Sequence, residues 1–196
     1  MAKGPRYRVP YRRRRDHKTD YKARLVLATS SRPRFVVRPS NRNILIQIVR
    51  SEIEGDYVLT QTNSAELAKR FGWLGGRKNT PAAYLLGLIA GHKAFNQGVE
   101  AAILDLGLRR PTRGSRLFAA VKGALDAGLK IPCDGDIMPG ADRIEGATIA
   151  EYAKSLEDPL EYERRFSDYL RRGLKPEGLT GHFREIKARI EGEFGS

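Results

Sequence analysis

Thirteen of the first forty residues are Lys or Arg and only two, Asp16 and Asp20, are acidic, so +11 of the +13 formal charge sits in the first fifth of a 196-residue chain. The remaining 156 residues hold 23 basic and 21 acidic side chains, the balance of an ordinary globular domain. A segment this charged cannot gather enough apolar surface to offset its ordering entropy. The chain therefore reads as a nearly neutral body carrying a cationic arm that is mobile alone and is held in place by a polyanion.

Within residues 1–32, the arm, the cations are Arg-rich and interleaved with tyrosines. Arg6, Arg8, Arg12, Arg13, Arg14, Arg15, Lys18, Lys22 and Arg24 alternate with Tyr7, Tyr11 and Tyr21. Guanidinium forks grip phosphate oxygens in pairs, and both Arg planes and Tyr rings stack on exposed bases, which favours nucleic acid as the partner. A membrane-bound arm would present an amphipathic apolar face. None occurs before Leu25, and Pro5 and Pro10 oppose a continuous helix there. The competing use of a run such as Arg12 to Arg15 is a targeting signal.

An apolar fraction of 40% is enough for a real core in the rest. The single Cys133 excludes an internal disulfide, and no apolar signal stretch follows the basic start, so a reducing cytosolic compartment is expected. The most apolar run, Ala82 to Ala90, is about half the roughly 20 residues that a membrane span requires. Gly87 and Gly91 at its end suit close helix packing.

Residues 33–132 form the body. Strand patterns at Arg34–Arg38, Ile44–Val49 and Tyr57–Gln61 are joined by Asn-, Gly- and Pro-containing turns, predicting three consecutive antiparallel strands. A short helix follows from about Ser64 to Phe71, capped by Asn63 or Ser64. The next runs to Phe95, with Thr80 as cap and Pro81 at its first position. Ala101–Leu106 reads as a strand, Ser115 caps a helix ending before Gly128, and Leu129–Ile131 supplies a fifth strand. The alternation favours parallel pairing in this half, hence an α/β body with a five-stranded mixed sheet and helices packed on it. Residues 133–196 read as a loop and a helical C-terminal extension. Its stripes, Tyr162, Phe166, Tyr169 and Leu170, then Phe183, Ile186 and Ile190, are core or docking faces against the body or a neighbour.

Catalytic patterns are missing. Gly75-Gly-Arg-Lys78 lacks the Lys-Ser/Thr pair of a phosphate-binding loop, and the three histidines lie in separate regions. Asp134, Asp136 and Asp142 miss calcium-loop spacing and suit a solvated loop. A mixed sheet opening with three antiparallel strands also occurs in ribonuclease-H-like nucleases, whose two-metal chemistry needs clustered carboxylates. Here the opening strand has none and Asp105 stands alone in the later one, so no enzyme, metal, cofactor or small-molecule substrate is expected. A duplex-packaging protein and an RNA-processing enzyme are the rival classes.

The strand arginines Arg34 and Arg38 and a second cationic set, Arg77 and Lys78 with Arg109, Arg110, Arg113 and Arg116, complete the candidate RNA contacts. The last four surround the expected N-terminus of the Ser115 helix, where free N–H groups and side-chain charge act together on phosphate. Trp73 is open between base stacking and core packing.

At these residues the chain is recognisable. Gly4-Pro-Arg-Tyr-Arg-Val-Pro-Tyr-Arg-Arg-Arg-Arg15 with Lys18-Thr-Asp-Tyr21, Gly72-Trp-Leu-Gly-Gly76, Asn79-Thr-Pro-Ala-Ala-Tyr84, Leu106-Gly-Leu-Arg-Arg-Pro-Thr-Arg-Gly-Ser-Arg116 and Gly123-Ala-Leu-Asp-Ala-Gly128 closely resemble the large-subunit ribosomal protein family numbered eighteen, in its archaeal form. The likeness runs from about residue 4 to 190. It implies a sheet of the ribonuclease-H-like class that is catalytically empty, and a structural ribosomal component without a reaction of its own. It also implies an arm from Arg6 to Arg24 threading between 5S rRNA and the large-subunit rRNA in the central protuberance, a body cradling 5S rRNA, and as neighbour the other 5S-binding protein, large-subunit family number five.

Overall fold

The computed structural model describes residues 4–194; Lys3, counted among the arm's cations, lies outside them. The arm is not without local order. Arg12–Arg15 makes one helical turn, α1, and Tyr21–Thr29 forms a helix, α2, whose N-cap Asp20 accepts from the backbone N–H groups of Lys22 and Ala23. The Tyr11 and Tyr21 rings meet at 5.1 Å and link the two segments.

Three antiparallel strands follow, β1 (Arg34–Pro39), β2 (Ile44–Ser51) and β3 (Asp56–Asn63). Ile44, Ile46 and Ile48 alternate into the core along β2, as the two-residue strand period demands. Helix α3 (Ser64–Arg70) starts at Asn63, whose side chain accepts from the Ala65 N–H. Ser64, the other candidate cap, instead accepts from the Ile44 N–H at 3.0 Å and so ties the helix start to β2.

Helix α4 (Thr80–Asn96) is capped by Asn79, which accepts from the Ala82 N–H at 3.0 Å. Thr80, expected as the cap, is instead its first helical residue and Pro81 its second, because the longer Asn carboxamide reaches the free N–H from one residue earlier. Strand β4 is shorter than Ala101–Leu106, spanning Ile103–Asp105, and it lies parallel to β1. Among the described residues the sheet order is β3-β2-β1-β4, four strands rather than five. Leu129–Ile131 contributes a single parallel bridge, Lys130 to Ala101. Pro132 ends it, having no N–H with which to continue a ladder.

Helix α5 (Arg116–Asp126) crosses α4 so closely that backbone meets backbone. A Cβ on Gly87 would overlap the Ala120 carbonyl oxygen, and one on Gly91 would lie 2.6 Å from the Ala127 Cβ. From the other side, Gly123 sits against the Tyr84 carbonyl oxygen. Gly87→Ala should cost about 2 kcal/mol, since the helices must separate rather than a side chain swing away. Thermal unfolding should register this as a fall of roughly 4–8 °C in Tm.

Helices α6 (Ala141–Glu145), α7 (Ala147–Ser155), α8 (Pro159–Arg171) and α9 (Leu179–Phe194) follow. Asp158 caps α8 by accepting from the Leu160 N–H, and Pro159 opens it. The stripe Phe183, Ile186 and Ile190 of α9 is buried in the same core as α4. The extension is thus laid against the body. In α8 only Phe166 is buried, while Leu160 and Leu170 face solvent.

Candidate nucleic-acid interface

Most arm cations stand exposed and without partners. Among the described residues, Arg6, Arg8, Arg12, Arg14, Arg15 and Lys22 make no side-chain hydrogen bond or ion pair. Arg13 donates to the Thr19 hydroxyl at 2.8 Å, and Lys18 pairs with Asp16 at 3.3 Å. Tyr7 and Tyr11 are exposed as well. These groups are drawn together by the backbone alone, so their mutual repulsion has no internal compensation.

The arm meets the body through a chain of ion pairs that the register of the sheet creates. Asp105 of β4 stands beside Val36 of β1, whose neighbours on the same face are Arg34 and Arg38. Its carboxylate accepts from Arg34 Nη1 at 3.0 Å and from Arg38 Nη2 at 2.8 Å. Arg34 Nη2 reaches Asp56 at 2.6 Å, and Asp56 accepts in turn from Arg24 of α2 at 2.9 Å. The arm helix is thereby pinned at the start of β3. Burial alone would raise the Asp105 pKa, but the hydrogen bond and charge of Arg38, the Gly107 N–H and Arg34 outweigh it and hold the carboxyl below its usual range. Asp56 behaves alike, burial being overcome by Arg34 and Arg24.

Two of the candidate RNA contacts, Arg34 and Trp73, are buried. Arg34 is only 3% exposed, held between two carboxylates, and presents nothing to a ligand. Trp73 is 1% exposed; its Nε1 donates to the Gly76 carbonyl at 3.0 Å and its ring stacks on His182, which decides its role as core packing. Arg38 is partly exposed but already bound to Asp105.

The remaining candidates divide into two concave surfaces. A cleft of about 780 Å³ brings the arm's Arg13, Lys18 and Arg24 together with Arg38 and Arg109, the last donating to the Pro39 carbonyl at 3.1 Å. Arg77, Lys78 and Arg116 instead line a groove of about 1080 Å³, with Arg116 Nη1 donating to the Lys78 carbonyl at 2.8 Å. Arg110 and Arg113 are exposed and line neither, Arg113 lying 3.9 Å from Asp136. The four arginines near residue 115 thus do not form one ring around the start of α5: Arg109 lines the arm's cleft, Arg116 lines the groove, and Arg110 and Arg113 line neither. Sequence reasoning missed Arg42, Arg143, Arg165, Arg171 and Arg172, which share the groove. They come from the β1–β2 turn and from an extension that is net acidic, with 10 basic and 14 acidic side chains, so no local signal marked them.

Among the described residues no group of three or more His, Cys, Asp and Glu could hold a metal ion, and no helix is long and apolar enough to cross a membrane. Residues 5–101 and 96–134 match the family described as ribosomal large subunit proteins 60S L5, and 50S L18. The chain is 50% identical over 192 residues to the large ribosomal subunit protein uL18 of Caldivirga maquilingensis, covering 97% of this chain and 93% of that one. It is 51% identical over 193 residues to the protein of the same name from Aeropyrum pernix, covering 97% and 90%. For that from Staphylothermus marinus the identity is 48% over 196 residues, covering 99% and 97%.

Proposed function

Because the chain belongs to the family of ribosomal large subunit proteins 60S L5 and 50S L18, we propose that it binds 5S rRNA and anchors it to the large-subunit rRNA in the central protuberance. Its place is on the large ribosomal subunit, and the family is one of structural proteins, not enzymes. The observation that carries the 5S reading beyond that general role is an arm whose Arg6, Arg8, Arg12, Arg14, Arg15 and Lys22 are unpaired among the described residues and whose Arg13, Lys18 and Arg24 line a body cleft. Such an arm orders on a polyanion, and a folded body at its base supplies the shape selectivity that a free polycation lacks. The neighbouring protein in this reading is the other 5S-binding protein, large-subunit family number five.

The reading is tested by titrating the purified chain with 5S rRNA, transfer RNA and a random duplex of equal length across salt. About seven phosphate contacts give a log–log salt slope of roughly −5 to −6. 5S rRNA should bind at least about tenfold tighter than either competitor at equal salt. Equal affinity for all three would reduce the chain to a non-specific polycation and remove the 5S assignment.

A further inference from the structure

We infer that the C-terminal extension is one wall of a second RNA site, in which the groove between α8 and the body holds a phosphodiester backbone. The inference deepens the RNA-binding reading above and rests on it, but it concerns residues remote from the arm: the groove shares none of its lining with the arm's cleft.

Five segments that are distant in sequence build the groove. The β1–β2 turn brings Arg42, the loop before α4 brings Arg77 and Lys78, α5 brings Arg116, and α6 brings Arg143. Helix α8 and the residue after it bring Arg165, Arg171 and Arg172. Against these eight cations there is one carboxylate, Asp168, 3.4 Å from Arg171. Among the described residues, only Arg165 of these eight finds an acid outside the groove, pairing with Glu161 at 2.6 Å. Arg42, Arg77, Lys78 and Arg143 make no side-chain hydrogen bond or ion pair among the described residues. Arg116 and Arg172 bond only to backbone carbonyl oxygens, which orient the guanidinium without cancelling its charge. A concave, low-dielectric surface of one sign focuses its field on the space it encloses.

The walls are also fixed before any ligand arrives. Arg172 Nη1 donates to the Gly75 carbonyl at 2.7 Å, Asn79 Nδ2 donates to the Tyr169 hydroxyl at 3.0 Å, and Arg116 holds the Lys78 carbonyl from the far side. These bonds stitch α8, the loop and α5 into one frame, so little ordering cost remains for binding.

The chemistry favours nucleic acid over an acidic protein. The groove offers a protein partner only Ile149 and Tyr169 as apolar anchors, and Tyr169 is already engaged, whereas protein hot spots centre on buried aromatics. A volume of about 1080 Å³ exceeds what one phosphate fills. Asn41 and Thr148 add neutral polar groups of the kind that contact sugar and phosphate oxygens.

The test is the full-length triple variant Arg42→Gln, Arg143→Gln, Arg171→Gln, whose positions are exposed and outside the core, checked for an unchanged Tm. Its affinity is measured across salt for 5S rRNA and, separately, for large-subunit rRNA, with hydroxyl-radical footprints on both. Three lost contacts should weaken binding at least about tenfold near 0.15 M salt and lower the slope magnitude by roughly 2 on one of the two RNAs. The RNA affected names the source of the backbone. The lost protections should differ from those lost when the arm is altered. Wild-type affinity, slope and footprint on both RNAs would overturn the inference, and reduced incorporation into large subunits at unchanged RNA affinity would assign the groove to a protein instead. Failure of the wild-type chain to prefer 5S rRNA over transfer RNA would strike the 5S reading and leave the groove comparison standing.

Discussion

Replacing Arg12, Arg13, Arg14 and Arg15 together with alanine should weaken binding of 5S rRNA by about two orders of magnitude near 0.15 M salt, with the folded body intact. Each phosphate contact contributes about 0.7–0.9 to the log–log salt slope through released counterions, so removing four should lower its magnitude by roughly 3. The body is spared because α1 buries no residue, and the one side-chain bond lost, Arg13 to Thr19, is local and exposed. Alanine also preserves helix propensity in the turn, which keeps the change one of charge. Filter binding across salt reads affinity and slope, and circular dichroism reads the fold. Undiminished affinity would transfer the whole RNA site to the body and its groove.

Asp105→Asn should destabilise the protein by about 3–4 kcal/mol, seen as a Tm lowered by roughly 10 °C. The carboxylate serves two guanidinium groups at once, and a carboxamide satisfies only one with its oxygen while turning N–H donors toward the other. Arg34 keeps Asp56, which limits the loss. The sign of the pH effect follows from the depressed pKa of Asp105. Its contribution is fully present above the ordinary carboxylate pKa and disappears as pH falls through the lower value of the folded state. The wild-type protein should therefore lose more stability than the variant on acidification below about pH 4. Equal acid sensitivity of the two would show that Asp105 does not hold β4 to β1 through Arg34 and Arg38. The same two arginines explain why the lone strand carboxylate is no catalytic group: both its oxygens are occupied.

Much of the fold was legible because it depends on near neighbours in the chain. The three opening strands follow from strand patterns and turn residues, α4 from an unbroken apolar run, and close helix packing from Gly87 and Gly91, though not that α5 is the partner. The fifth strand was misread because Leu129–Ile131 has strand composition, whereas pairing depends on what Pro132 leaves available. Trp73 could not be assigned locally, since the ring that covers it, His182, is more than a hundred residues away.

The sequence by itself determined that this protein carries its charge excess on an arm, that its body is an α/β sheet with packed helices, and that it has no catalytic pattern. These properties are sums over composition or repeats over a few residues. Tertiary structure alone decided which arginines are free. Arg12 and Arg34 are the same side chain in the same basic stretch, yet one stands in solvent and the other lies between Asp56 and Asp105. The groove behind α8 is likewise invisible along the chain, because its cations are dispersed from residue 42 to residue 172 and each is locally unremarkable. Charge is additive and can be counted from a sequence. Pairing and concavity depend on long-range register, which only the packed fold supplies.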